Sequence, residues 1–525
     1  MALDWQQIAS TAQQSVINSI PAKWRLPQTL DPSLTDLDIT EQTASELVAQ
    51  LREGKLSSVE VTEAFCGRAA IAHQCVNCLT AFFPDEGLAR AKQLDEILAE
   101  TGKPVGPLHG LPVGIKDILH MKGKNLTMGY VVWHDNKCTI DASIVQMLRN
   151  AGAVFYVRTT MPQTGMFLET WSNLFGRTKN PFNTNFSAGG SSGGDGSLVA
   201  MKGAPFCPST DIGGSIRAPG TFNGLYAMRP TAERTAKRGM GTPAPGQISI
   251  KVSSGPNCHS MADVKLVTEI LLTHYGLPFE PTAVRLPWKQ IPAPAEKLSF
   301  GLMTSDSCVT PQPSIARALR EIAEKLREAG HEVIEFSPPF DCWEVARSTW
   351  RLWFQTGAKE TLALVASSGE PLYPTFKWYL ETFDIKELTL NTQQAEWRYQ
   401  FAEAWHNTKS KTRSGGPIDC LIAPCAPSAG FPHGFPVWWG YFSLWNLLDY
   451  PSIVLPLKYM KVDIDKDKKD TTYVPKDNVF DKMNWEIYDP EGWKNQPITI
   501  QLVAKQYDDE ELISVAEVID QVCNG

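Results

Sequence analysis

Gly189-Gly-Ser-Ser-Gly-Gly194 and Asp211-Ile-Gly-Gly-Ser-Ile-Arg217 are the two stretches on which the reading of this chain turns. Both set serine among glycines. Glycine lets the backbone turn sharply and be approached closely, so each hydroxyl stands where another group can reach it. In the second stretch the N–H groups of Ile212, Gly213, Gly214 and Ser215 can converge on one oxygen. Such a row holds the negative charge that develops on a carbonyl oxygen during acyl transfer.

Three readings compete for the first stretch. A phosphate loop needs Lys after its last glycine, and here Asp195 follows, which repels phosphate. Gly189-Gly-Ser191-Ser-Gly193 satisfies the G-x-S-x-G of a nucleophile elbow. That elbow needs a buried strand before it, and residues 180–187 are polar and turn-like. Its histidine would have to come from His259, His331, His406 or His433. A structural glycine loop is the bland reading of the first stretch alone, and the second stretch shifts the balance towards chemistry.

Outward from these loops the pattern is α/β. Upstream, residues 40–54 read as an amphipathic helix, and Ser57-Ser-Val-Glu60 is a capping box that opens the next one. A third helix carries Leu88, Ala91, Leu94 and Leu98. A turn-rich stretch then leads into the apolar run Val113-Gly-Ile115, which ends abruptly at Lys116-Asp117. Residues 141–150 read as helix and 153–157 as a buried strand. Later come strands at 300–303, 333–336, 418–423 and 452–457, with a helix over 314–329. The expected fold class is α/β, a large mixed β-sheet flanked by helices on both faces.

Composition narrows the function. Of 525 residues, 43% are hydrophobic and 20% charged, enough apolar material for a large core. Lys and Arg total 49 against 57 Asp and Glu, a net charge of −8. An acidic balance disfavours nucleic acid and anionic membranes as partners, since both need clustered cations. No signal peptide and no membrane span is read. The eleven cysteines show no secreted framework, which points to a reducing, cytoplasmic setting. Cys75-Val-Asn-Cys78 lacks a second pair at zinc spacing and reads as buried thiols. Residues 461–470 are the only charge run. Asp463, Asp465 and Asp467 start like a calcium loop, but Lys468 and Val474 stand where Gly and Glu are required. The run reads as part of a solvated surface insertion at about 460–482, and no metal is assigned.

The combined motifs resemble the amidase signature family. The match includes both Gly/Ser stretches, Thr210 ahead of the second, and the trailing Gly224-Leu-Tyr-Ala-Met-Arg-Pro230. Gly106-Pro-Leu-His-Gly-Leu-Pro112 with Lys116-Asp117 looks like the family's lysine motif, and Phe175-Gly-Arg-Thr-Lys-Asn-Pro181 like its approach to the first loop. Ala64-Phe-Cys-Gly-Arg-Ala-Ala70, Met128-Gly-Tyr130 and Asn446-Leu-Leu-Asp449 are similar to the fungal acetamidase-like, or general, amidases. The resemblance implies the amidase-signature fold, with an N-terminal arm at 1–39 and one amidase domain at 40–525.

It also implies hydrolysis of a carboxamide to a carboxylate plus ammonia or amine, through an acyl-enzyme. Ser215 would be the nucleophile, Ser191 a bridging serine on a cis peptide bond, and Lys116 the base. Gly165, Ser191, Ile212, Gly213, Gly214 and Ser215 would contact substrate. Ser192 would be a supporting hydrogen-bonder, and Asp211 and Arg217 would hold the loop. No cofactor and no metal is needed, the partner is a small-molecule amide, and family habit suggests a homodimer. An acyltransferase or esterase with the same triad is the alternative. From a different class, so is a non-catalytic or partner-dependent subunit.

Lysine can serve as base only when neutral, and free Lys titrates near ~10.4, so Lys116 has to be buried. The bland reading is an exposed Lys116 paired with Asp117. Trp438, Trp439, Tyr441, Phe442 and Trp445 form an aromatic stripe, either ordinary helix packing or a wall of the acyl pocket. Ser209, where relatives often have Gly, and Ala504-Lys-Gln506, where Gly-Arg-Arg is common, depart from the family pattern.

Overall fold

Local signals set the first helices. Thr43 and Glu46 close a capping box, so the helix expected from residue 40 divides into Leu37–Thr40 and Ala44–Arg52. Ser57 and Glu60 do the same for Ser58–Val76, as the sequence predicts. The apolar stripe of Pro313–Glu328 buries Ile315, Leu319, Ile322 and Leu326 on one face. The computed structural model describes residues 4–26, 37–243, 247–385 and 391–525. Residues 1–3 and 27–36 of the N-terminal arm lie outside them. The described part of the arm forms the helix Trp5–Asn18 and sends Val16, Ile20 and Trp24 into the main core.

Strands β1 (Leu79–Phe82), β2 (Pro112–Lys116) and β3 (Val154–Thr159) form a three-stranded sheet in the order β1-β3-β2. A short pair, β4 (Trp171–Ser172) and β5 (Gly176–Arg177), stands apart. The main sheet comprises β6 (Phe206–Asp211), β7 (Tyr226–Arg229), β8 (Ser253–Cys258) and β9 (Ser299–Leu302). It is completed by β10 (Glu332–Glu335), β11 (Cys420–Pro424), β12 (Ser452–Lys461) and β13 (Pro497–Val503). Its eight strands run in the order β10-β9-β11-β13-β12-β7-β8-β6. Pairing is parallel among β10, β9 and β11 and antiparallel across the rest, so the sheet is mixed. β6, β8 and β11 are buried at every position, as strands covered on both faces must be.

Lys116 belongs to the small sheet, because β2 pairs with β3 and has no strand pairing with β6. One expectation changes. The charge run at 461–470 is not wholly solvated. Asp467 is buried and accepts hydrogen bonds from Arg317 Nε (2.6 Å) and Nη2 (2.8 Å), while Tyr488 donates to its carbonyl (2.6 Å). Asp463 turns its carboxylate onto the N–H groups of Asp465 and Lys466, an Asx-type turn. Of the C-x-x-C pair, Cys78 is buried and Cys75 is exposed.

Apolar packing is dominated by a main core and a second, aromatic-rich cluster, with two smaller clusters beside them. The second includes Trp350, Trp353, Tyr379, Trp439, Phe442 and Trp445. This cluster lies against the Asp211–Arg217 loop.

Candidate active site

β2 delivers Lys116 from its last residue, in register with Thr159 of β3. Gly114 lets β2 approach β6, since a Cβ there would come within 2.8 Å of Cys207 Sγ. Lys116 is fully buried, and its Nζ donates to Ser191 Oγ (2.9 Å) and Thr210 Oγ1 (3.0 Å). Asp117 turns instead to Arg158 (2.9 Å), which removes the surface pairing that the bland reading required. Burial pushes the Lys116 ammonium down to about 8, and the carboxylates of Asp195 and Asp211 limit the fall. Thr210 has no role in the sequence reading. The sequence presents it only as part of the motif ahead of Asp211, with neither the strand Phe206–Asp211 nor a lysine arriving from another sheet legible there.

Ser191 follows a cis Gly190–Ser191 peptide. Thr170 fixes the loop, its Oγ1 donating to the Gly189 carbonyl and accepting from Gly193 N–H, both at 3.0 Å. Asp195 lies in the first turn of the helix Gly193–Ala200. It is buried and accepts from Thr159 Oγ1 (2.5 Å) and Ser209 Oγ (2.7 Å). Burial raises its carboxyl to about 6 against the pull of Lys116. Ser209, the family departure, thus has a partner that glycine could not supply.

The second loop is pinned by Asp211. Its carboxylate accepts from Gly214 N–H (2.7 Å), Ile216 N–H (3.2 Å), Asn446 Nδ2 (2.8 Å) and both Nε (3.0 Å) and Nη2 (3.1 Å) of Arg217. Burial alone would raise this carboxyl, but the Arg217 guanidinium holds it well below the usual carboxylate range. Arg217 continues to Phe442 O (3.0 Å) and Gln501 Oε1 (2.9 Å). The row of N–H groups is therefore not uniform. Gly214 N–H is taken by Asp211, and among the described residues those of Ile212, Gly213 and Ser215 have no acceptor.

Ser191, Thr210, Ile212, Ser215 and Gly165 line one cavity of about 230 Å³. Its apolar wall includes Met128, Met166, Met240, Trp353 and Phe354. No hydrogen bond joins Ser191 to Ser215 among the described residues. The histidines are engaged elsewhere: His259 with Val199 O, His331 with Leu298 N, His406 with Lys409, and His433 with Glu169. Ser192 Oγ departs from its implied supporting role, being buried without a hydrogen-bond partner among the described residues.

The family model described as Amidase matches residues 60–513. The chain belongs to the amidase family. It is 46% identical to Amidase FG08078 of Gibberella zeae over 542 residues, covering 99% of each chain. It is 36% identical to an acetamidase of Emericella nidulans, again over 99% of each. Among solved structures it is similar to a fatty acid amide hydrolase. The TM-score is 0.92 at 31% identity, covering 99% of this chain and 95% of that one. A bacterial aryl acylamidase shares the fold, with a TM-score of 0.71 at 20% identity, covering 92% of this chain and 96% of that one.

In this amidase-family chain the aromatic stripe backs the second loop rather than walling the cavity. A Cβ on Gly213 would come within 2.9 Å of Trp439 and 2.5 Å of Trp353, and one on Gly214 within 2.7 Å of Phe442. The aromatic wall comes from Trp353 and Phe354, at the end of the helix Cys342–Trp353, which the sequence did not single out. Gln506, in the other departure from the family pattern, donates to Asp449 Oδ2 (3.1 Å). Among the described residues no helix is long and apolar enough to cross a membrane.

Proposed function

We propose that this chain hydrolyses carboxamides through an acyl-enzyme, with Ser215 as nucleophile, Ser191 as proton bridge and Lys116 as base. The supporting observation is the 2.9 Å contact of a buried Lys116 Nζ with Ser191 Oγ, in the cavity that Ser215 also lines. A neutral Lys116 has two N–H groups and one lone pair. One N–H stays on Thr210 Oγ1, and the lone pair accepts the Ser191 proton as Ser191 takes that of Ser215. Ser215 Oγ then bonds to the amide carbon, and the N–H groups of Ile212, Gly213 and Ser215 receive the oxyanion. The proton returns through Ser191 to the amide nitrogen, the C–N bond breaks, and ammonia or amine leaves. Water, deprotonated by the same path, releases the carboxylate.

The relatives' names span acetamide and fatty acid amides. The cavity's methionines and its Trp353–Phe354 wall favour an acyl group with more apolar surface than acetyl. A reducing, cytoplasmic compartment fits eleven free cysteines.

Ser215→Ala should lose at least about 1000-fold in kcat and no longer be labelled by a fluorophosphonate that labels the wild-type chain, with its melting temperature little changed. Retained turnover in the isolated variant would remove Ser215 from its role. An acyltransferase would instead form product only when a second nucleophile is supplied.

A further inference from the structure

We propose that Trp353 is a positioning residue for the oxyanion donors as well as a wall of the acyl cavity, a reading that rests on the proposed amidase chemistry. Its indole Nε1–H donates to the carbonyl of Ile212 at 3.1 Å. That carbonyl and the N–H of Gly213 belong to one peptide unit. In a planar trans peptide the two point in opposite directions, so fixing one aims the other. Gly213 N–H is one of the donors left free in the loop, so the indole sets the direction of a group that must meet the oxyanion.

The loop is held from two sides. Asp211 takes Gly214 N–H at 2.7 Å, and Trp353 takes Ile212 C=O. Between those two anchors lies the Ile212–Gly213 peptide. The indole edge also packs on Gly213 itself, where a Cβ would come within 2.5 Å of Cζ2 and 2.6 Å of Cη2. Aromatic packing alone does not require the hydrogen bond. The neighbouring indoles of Trp350 and Trp445 are buried in the same cluster with no partner for their N–H groups among the described residues. Trp353 is bonded, and it also lines the cavity.

One side chain therefore touches both the acyl group and the peptide that stabilises the transition state. Acyl occupancy and donor geometry are coupled through it, because the indole cannot tilt without moving the Ile212 carbonyl.

The test separates donor positioning from wall-building. Trp353→Phe keeps a ring and loses the N–H. Replacement of Trp353 by 3-benzothienylalanine keeps the bicyclic shape with sulfur in place of N–H, and covers the case in which the smaller ring disturbs folding. With acetyl- and aroyl-amides as probes, both variants should lose about tenfold in kcat on each substrate. This is less than the 100- to 1000-fold lost when a donor is removed outright. KM for the acetyl amide should stay within about twofold. Unchanged kcat on the acetyl amide, or a change confined to KM for the aroyl amide, makes Trp353 only a wall and overturns the proposal. Wild-type chain that hydrolyses neither amide and resists fluorophosphonate would overturn the amidase reading and this inference together. Active wild-type with indifferent variants would overturn this inference alone.

Discussion

Lys116 carries its charge problem into a site where its direct partners are two hydroxyls. Burial favours the neutral amine, and the nearby carboxylates favour the ammonium. The balance at about 8 leaves roughly a tenth of the molecules with a neutral base at pH 7. Since only the neutral form accepts a proton, kcat/KM should rise with pH, reach half its plateau near pH 8 and level off above about pH 9. Asp211 stays ionised throughout because Arg217 is paired to it, so Asp195 is the carboxylate that can be removed without breaking an ion pair. Asp195→Asn takes away a negative charge that favours the ammonium. The Lys116 titration should then move to lower pH by about half to one unit. A pH profile on an anilide substrate reads this directly, and a profile that stays put or moves upward would detach Asp195 from the base.

At the scale of elements, the Asp211–Arg217 loop is a turn whose conformation is enforced from outside. Gly214 sits at φ +112°, a left-handed conformation that only glycine adopts readily, with Phe442 closing the space a side chain would need. Gly214→Ala should cost about 1–3 kcal/mol of stability and more than tenfold in kcat. Adding Phe442→Ala should not restore kcat, because the backbone strain remains when the clash is gone. Thermal melts and kcat of the single and double variants check this. Much of this element was legible beforehand. Two glycines ahead of a serine stated the turn, and the family resemblance implied that Asp211 and Arg217 brace it. That Gly214 N–H would be spent on Asp211 was not legible, because it depends on the angle at which the carboxylate folds back under the loop.

On the scale of the whole molecule, the second half of the chain ties itself down through single buried contacts between distant segments. Arg317, on the helix Pro313–Glu328, reaches the buried Asp467 in what the sequence presents as a solvated charge run. Arg317→Ala leaves that carboxylate buried without its cation, still holding the Asp463 N–H, at a cost of about 3–5 kcal/mol. The double variant Arg317→Ala with Asp467→Ala should recover part of the loss. Urea unfolding of Arg317→Ala, Asp467→Ala and the double variant measures it, and kcat of the folded fraction should stay at the wild-type value, since neither residue lines the cavity. Losses in the two single variants that sum to the loss in the double would mean that the pair itself contributes nothing.

Residue types at short spacing carried the chemistry. Two serines among glycines, a lysine at the end of an apolar run and the family motifs around them named the hydroxyls and the amine, because backbone turns and hydrogen-bond donors are local properties of the chain. The α/β class followed from apolar periodicity for the same reason. Contacts between segments far apart in sequence were decided only by packing. These include the placement of Lys116 on a separate small sheet against Thr210, the union of Asp195 with Ser209 and Thr159, the burial of Asp467, and the arrival of Trp353 beside Ile212. Each depends on how a strand or helix is seated against its neighbours, and a side chain's pKa, its exposure and the direction of a peptide N–H are all set by that seating rather than by the residues next to it in the chain.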